Sequence, residues 1–259
     1  MTDPADSIPA HVDVISVRLT FGDRKVFDGL SCRFPQGRIS VILGASGIGK
    51  SCLLKLIACL MRPQYGDIWI GDDEITCMPE REARRMRHKL GMMFQGGALL
   101  DSMTVLDNVA LPLREHTDCS EAEVTERVAY QFDAVGLKNV NNLLPGELSG
   151  GMKKRVALAR AMITEPEILL VDEPFSGLDP PTVRLIERLL AEVNERTGVT
   201  MIMTNHHIGS TFRLADEIAF LVDGASICGT PDQLQKSIDP RIRAFLEAAG
   251  PGGPELESD

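Results

Sequence analysis

The sequence predicts an α/β protein: a parallel sheet entered by a glycine-rich loop, a small antiparallel β region ahead of it, and a helical insertion. Three observations carry that expectation. Residues 38–43 form a mostly apolar strand that runs into the glycine-rich stretch 44–49 and then into a helical pattern over residues 50–61. Residues 168–171, Ile-Leu-Leu-Val, are a continuous apolar run, as a strand buried on both faces requires. Beyond them strand and helix patterns alternate, which is the rhythm of a parallel sheet with crossover helices.

Taken in order, residues 12–19 and 25–34 read as two strands around a Gly22-Asp23 turn. The helix over 50–61 sets Leu53, Leu54, Ile57, Ala58 and Met61 on one face. A short strand over 66–71 carries the single Trp69. Residues 95–163 are mainly helical. There Thr104 is placed to cap a helix with Val105, Val109 and Leu113 inward, Ser120 caps the next, and Ser149 opens a third from Gly150 to about Ile163. Asp179 followed by Pro180 starts an amphipathic helix with Val183, Ile186, Leu190 and Val193 inward, closed by Gly198. Residues 199–203 and 218–222 are further strands. The expected division is a polar tail over 1–11, a single domain over 12–249 whose helical part spans about 96–163, and a disordered tail over 250–259. There is no internal repeat.

Composition narrows the class. A chain of 259 residues can bury a sizeable core, and 44% apolar with 25% charged residues is the globular average. The net charge of −10 argues against nucleic-acid binding, which needs a basic face. The basic stretch 81–89 reads as a solvated helix face. Six cysteines (Cys32, Cys52, Cys59, Cys77, Cys119, Cys228) form no CxxC pair, so they read as reduced core thiols rather than disulfides or a metal site. Residues 1–13 lack the basic-then-apolar order of a signal peptide, and no apolar run approaches the roughly 20 residues that cross a bilayer.

The chemistry starts at Gly44-Ala45-Ser46-Gly47-Ile48-Gly49-Lys50-Ser51, which fits the P-loop pattern GxxxxGK[ST]. Glycines let backbone N–H groups turn inward around phosphate oxygens, and the following helix points its positive end at them. Lys50 then reaches the β- and γ-phosphates of ATP, and the Ser51 hydroxyl is a ligand for Mg2+. A loose glycine turn is the alternative. A preceding apolar strand and a following helix reject it. The run 168–171 ends in Asp172-Glu173, two acids at the C-terminal edge of a strand, where α/β proteins bind ligands. Asp172 suits the Walker B role of holding Mg2+, and Glu173 that of a general base polarising water.

Leu148-Ser149-Gly150-Gly151-Met152 resembles the signature of ABC ATPases, LSGGQ in its commonest form. The resemblance implies a P-loop NTPase core with a small antiparallel β subdomain and a helical insertion subdomain. It implies that Ser149, Gly150 and Gly151 complete the ATP site of a second copy, so that two chains sandwich ATP. Gln95 resembles the Q-loop glutamine, which touches Mg2+ and the attacking water and adjoins a permease. Ser176-Gly177-Leu178-Asp179 resembles the D-loop, with Asp179 near the nucleotide at the dimer interface. His206 resembles the switch histidine on the γ-phosphate, and Phe21 stands where an aromatic ring stacks on adenine, with core packing as its rival. Two departures stand out: Met152 replaces Gln, and His207 stands where Asp commonly follows the switch histidine.

The segment from Phe94 to His116, with its FQxGAL and NVAxPLREH phrases, together with DPRxRxFL over 239–246, resembles the Mla and Mce lipid-transport ATPases. That likeness implies an ATP hydrolase that energises a separate integral membrane permease for phospholipid, held through it at the inner face of the cytoplasmic membrane. It also admits a substrate-binding MCE-type subunit and small regulatory subunits as partners, and no nucleic acid. An ABC ATPase serving another substrate is the alternative. A non-transport ABC protein acting on ribosomes or DNA is opposed by the charge of −10. A scaffold that binds ATP without turnover is opposed by the intact Lys50, Asp172, Glu173 and His206.

Overall fold

The computed structural model describes residues 8–248. The expected tail over 250–259, and residues 1–7 of the polar segment, lie outside the described residues. The chain gathers into two compact units, one running to Arg84 and resuming at Thr200, the other spanning Arg85–Val199.

The first unit opens with β1 (Ala10–Phe21) and β2 (Arg24–Pro35), followed by β3 (Ile39–Leu43), α1 (Lys50–Ile57), β4 (Tyr65–Ile70) and β5 (Asp73–Glu74). Strands β2, β1, β4 and β5 form an antiparallel sheet in that order. Alternation is visible in β1, where Val12, Val14, Val17 and Leu19 are buried. After Thr200 come β8 (Thr200–Thr204), α7 (Ile208–Leu214), β9 (Glu217–Val222), β10 (Ala225–Gly229), α8 (Pro231–Gln235) and α9 (Pro240–Ala248). Strand β3 lies parallel to both β8 and β9, and every residue of β3 and β8 is buried. That burial is why both read as unbroken apolar runs. Short α8 and α9 close over β9 through Leu234, Ile242 and Phe245, the last with its ring 5.0 Å from that of Phe220.

Helix α1 stops at Ile57, short of the expected Met61. Cys59 takes φ 54°, and the amides of Leu60 and Met61 both return to the carbonyl of Lys55 at 2.9 and 3.2 Å. A left-handed residue closes the helix although the apolar spacing continues through it.

The second unit holds β6 (Leu90–Met93) parallel to β7 (Ile168–Asp172), with α3 (Val105–His116), α4 (Glu121–Ala134), α5 (Gly150–Met162) and α6 (Pro180–Thr197). Between the units in sequence, α2 (Glu80–Arg87) makes the basic stretch helical, as expected. The four expected caps are formed. Thr104 Oγ1 accepts from Asp107 N, Ser120 makes a reciprocal box with Glu123, Ser149 Oγ accepts from Met152 N, and Asp179 accepts from Thr182 N. Gly198 ends α6 at φ 67°. Arg114 joins α3 to α4, donating to both carboxylate oxygens of Glu121 at 3.0 and 2.8 Å and to Asp107 at 2.8 Å. That guanidinium holds both carboxyls below the usual range.

The loop between β6 and α3 is held from within the unit. Arg160 on α5 donates to the carbonyls of Gly97 and Ala98, each at 2.7 Å. Asn108 on α3, wholly buried, accepts from Leu100 N at 2.7 Å. Its Nδ2 donates to the carbonyls of Leu100, Met103 and Thr104 at 3.0 to 3.2 Å.

The cysteines need a correction. All six are free thiols, but only Cys32 is buried, while Cys77 and Cys228 are exposed. Cys77 follows the two-residue edge strand β5 and Cys228 lies on edge strand β10, so neither reaches a core. Burial pushes the Cys32 thiol well above its usual range.

Candidate functional site

In the first unit, β3 delivers the chain into the 44–51 loop. Gly44 stands at φ 151° and Gly49 at φ 114°. A Cβ on Gly49 would lie 2.6 Å from Val26 Cγ1 and 2.9 Å from Phe27 Cε1, so both backbone angle and packing demand glycine. Helix α1 begins there with no side-chain cap and no acid in its first turn, so the positive end of the helix suits an anion. Lys50 is buried, and its Nζ donates to the carbonyls of Gly44 and Ala45 at 2.9 and 3.0 Å. The loop is thus curled around its own lysine. Gly49→Ala is expected to lower stability by about 2–4 kcal/mol, adding backbone strain to overpacking. Thermal unfolding checks it, and an ATP titration should show weakened binding alongside.

Phe21 ends β1 and is 50% exposed, which removes core packing as its role. Its register partner across the hairpin is Arg24, whose Nη2 donates to Gly47 O at 2.6 Å. His206 follows β8 and is exposed, its ring 4.5 Å from that of His207. Buried Asn205 shapes this turn. Its Oδ1 accepts from both His206 N and His207 N at 2.9 Å, and its Nδ2 donates to His207 O and Thr211 Oγ1. His207 sits at the N-cap of α7 without a side-chain cap bond, so the turn does not depend on an Asp there.

In the second unit, β7 is buried throughout and ends at Asp172. Glu173 then takes φ 44° although Pro174 follows, a combination that costs about 1–3 kcal/mol and must be held by its surroundings. Gln95, just past β6, donates from Nε2 to Glu173 Oε2 at 3.0 Å and to Ser176 Oγ at 3.3 Å. Glu173 O accepts from Ser176 N at 3.3 Å and from Lys154 Nζ at 3.2 Å. Lys154 Nζ also donates to Gln95 O. Burial lowers the Lys154 ammonium, opposed by the nearby charges of Glu173 and Asp172.

The signature and D-loop stretches meet in the same unit. The Cβ position of Gly150 is 3.5 Å from Leu178 Cδ2, and that of Gly151 is 2.7 Å from Thr182 Cγ2. Both Asp179 oxygens are engaged by Thr182, at 3.0 Å from its N–H and 2.8 Å from its hydroxyl. Those bonds hold the Asp179 carboxyl below its ordinary value.

Phe21, residues 44–51 and His206 thus share one unit, while Gln95, Ser149, Gly150, Gly151, Asp172, Glu173 and Asp179 share the other. Direct contact joins Gln95 to Glu173. Three residues whose side chains bond to these loops carry no motif in the sequence: Arg24, Asn205 and Lys154. The visible signal for Lys154 was a lysine at the apolar spacing of α5, between Gly151 and Ala157.

Among the described residues no group of three or more His, Cys, Asp or Glu side chains could hold a metal. The oxygens expected to serve Mg2+ are instead the Ser51 hydroxyl in the first unit and, in the second, the Asp172 carboxylate and the Gln95 side chain. Few protein oxygens completed by phosphate and water are what this cation ordinarily takes.

Comparison with known proteins agrees with these motifs. A family model described as ABC transporter matches residues 27–176. The intermembrane phospholipid transport system ATP-binding protein MlaF of Escherichia coli is 40% identical over 95% of this chain and 92% of its own length. A Mycobacterium leprae relative named "Probable ribonucleotide transport ATP-binding protein mkl" is 36% identical over 96% of this chain and 72% of its own. Among solved structures, a dimeric ATP-binding cassette in a post-hydrolysis state with ADP and phosphate matches with TM-score 0.78 and 30% identity. The match covers 85% of this chain and 98% of that one. CbiO1 of Clostridium perfringens, part of an ABC transporter complex, matches with TM-score 0.80 and 27% identity over 92% and 99%.

Proposed function

The chain belongs to the ABC transporter family as an ATP-binding and ATP-hydrolysing subunit, and from that we propose that it drives phospholipid transport through a separate membrane permease. No helix among the described residues is long and apolar enough to cross a membrane, so a partner has to supply the path. In this reading two copies sandwich ATP at the inner face of the cytoplasmic membrane. The 44–51 loop and Lys50 of one copy hold the phosphates, and Ser149, Gly150 and Gly151 of the other close over the γ-phosphate. Phe21 stacks on adenine. Glu173, aligned by Gln95, takes the proton of the attacking water, and His206 contacts the γ-phosphate. Mg2+ would be held by Ser51, Asp172 and Gln95, where it neutralises charge on the phosphates.

The observation that carries the permease is the loop after Gln95. Leu100 is 42% exposed, with Leu99 and Met103 part-buried, and yet the backbone beneath them is pinned by Arg160 and Asn108. Apolar side chains on a fixed backbone facing solvent suit a partner surface better than a core. The lipid assignment is supported by the likeness to MlaF over nearly the whole chain. The relative named for ribonucleotide transport favours a second reading, the same engine on a permease for another substrate. Purifying the native complex and identifying its permease and bound lipid decides between them.

Leu100→Asp is expected to weaken permease assembly strongly, since burying an unpaired carboxylate costs several kcal/mol. The isolated chain should keep its ATP affinity and its melting temperature, as exposed substitutions usually stay within about 0.5 kcal/mol. A lowered melting temperature with assembly intact would return this loop to the core.

A further inference from the structure

We infer that Lys154, on the helix opened by Ser149, is the positioning residue that sets the Glu173 carboxylate against Gln95. The inference rests on the reading of Glu173 as the base. Its ground is a contradiction in local chemistry. Glu173 precedes proline, which favours extended backbone, yet it sits at φ 44°. Such a residue holds its place only if neighbours fix its peptide group. Its carbonyl has two donors, Ser176 N from the same turn and Lys154 Nζ from α5.

The lysine does not stop there. The same Nζ donates to the carbonyl of Gln95, the residue whose side-chain amide meets Glu173 Oε2 at 3.0 Å. One buried ammonium therefore ties the backbones of both members of a side-chain pair, and closes a ring running Lys154, Gln95, Glu173 and back. A lysine at 7% exposure is expensive to bury, and its cost is offset only where it meets several oxygens and nearby carboxylates. Asp172 and Glu173 supply those charges. A surface function for this side chain is excluded by its burial. A purely packing role would be better served by an apolar residue, as at its neighbours Val156, Ala157 and Leu158.

Being on α5 gives the arrangement a direction. A shift of the helix that carries Ser149 and the signature glycines moves Nζ, and with it the alignment of base and glutamine. The group that senses nucleotide from one copy is thereby connected to the base acting in its own chain.

The test compares steady-state ATP hydrolysis by the full chain carrying Lys154→Met, Glu173→Gln, or both, with Lys153→Met as a control. Lys154→Met is expected to lower kcat roughly tenfold or more, because sub-ångström to 1 Å misplacement of a reacting group costs up to about 100-fold. KM for ATP should stay within about twofold, and the double variant should be no slower than Glu173→Gln alone. Three results overturn the inference: kcat unchanged, KM rising in step with the loss, or effects that multiply in the double variant. If Lys154→Met fails to fold by thermal unfolding, Lys154→Gln, which keeps a donor on a shorter arm, is read by the same three criteria. Glu173→Gln retaining full turnover would instead overturn the underlying reading of the base, and is visible separately.

Discussion

Glu173→Gln is expected to leave ATP binding intact while slowing hydrolysis by roughly 10²–10⁴, the usual worth of a general base. The substitution is close to isosteric, and the Gln95 amide can still donate to the new side-chain oxygen as it does to Glu173 Oε2. What disappears is the capacity to accept a proton from water. A stalled nucleotide also stays between the two copies, so the variant should accumulate as an ATP-dependent dimer. Phosphate release in single turnover measures the first effect and light scattering with Mg-ATP the second. Wild-type turnover in the variant would remove Glu173 from the chemistry. A monomer at high protein concentration would count against the sandwich.

Lys50→Ala should weaken ATP binding by roughly 10- to 150-fold, the loss of a charge-assisted hydrogen bond worth about 1.5–3 kcal/mol. The loop itself loses a ligand for two carbonyls, Gly44 O and Ala45 O, which then need water. Isothermal titration at fixed salt reads the affinity. Equal affinity for wild type and variant would mean that the lysine serves only to hold its own loop. The two substitutions therefore separate by signature: one removes binding, the other removes turnover at constant binding.

Much of this protein was legible because its logic is local. The caps at Thr104, Ser120, Ser149 and Asp179, and the stop at Gly198, are each decided within four residues. The 44–51 loop is likewise a short-range device, since glycine spacing and the following lysine are consecutive. What could not be read depends on partners far along the chain. Nothing around Lys154 in sequence says that its ammonium meets residues 95 and 173. Asn205 was missed for a different reason: its partners are local, but a polar residue after a strand carries no pattern that marks it as a turn-former. The end of α1 at Ile57 was hidden for another reason. The apolar spacing through Met61 is genuine, but Cys59 leaves the helix by taking a left-handed angle that cysteine does not advertise. Elements β10, α7, α8 and α9 are too short for periodicity to separate them from loops.

Asn108 has a thermodynamic consequence for assembly. With its amide spent on Leu100, Met103 and Thr104, the loop that presents Leu100 has given up its freedom already, during folding. A permease docking there, as proposed, would not have to freeze a wandering segment, and each side chain left to immobilise costs only about 0.5–1.5 kcal/mol. Even a modest apolar patch can then give a long-lived complex, because little of its contact energy is consumed in ordering. The speed of recognition is affected too: a surface already in its bound shape docks by collision and orientation alone, without waiting for a rare conformation.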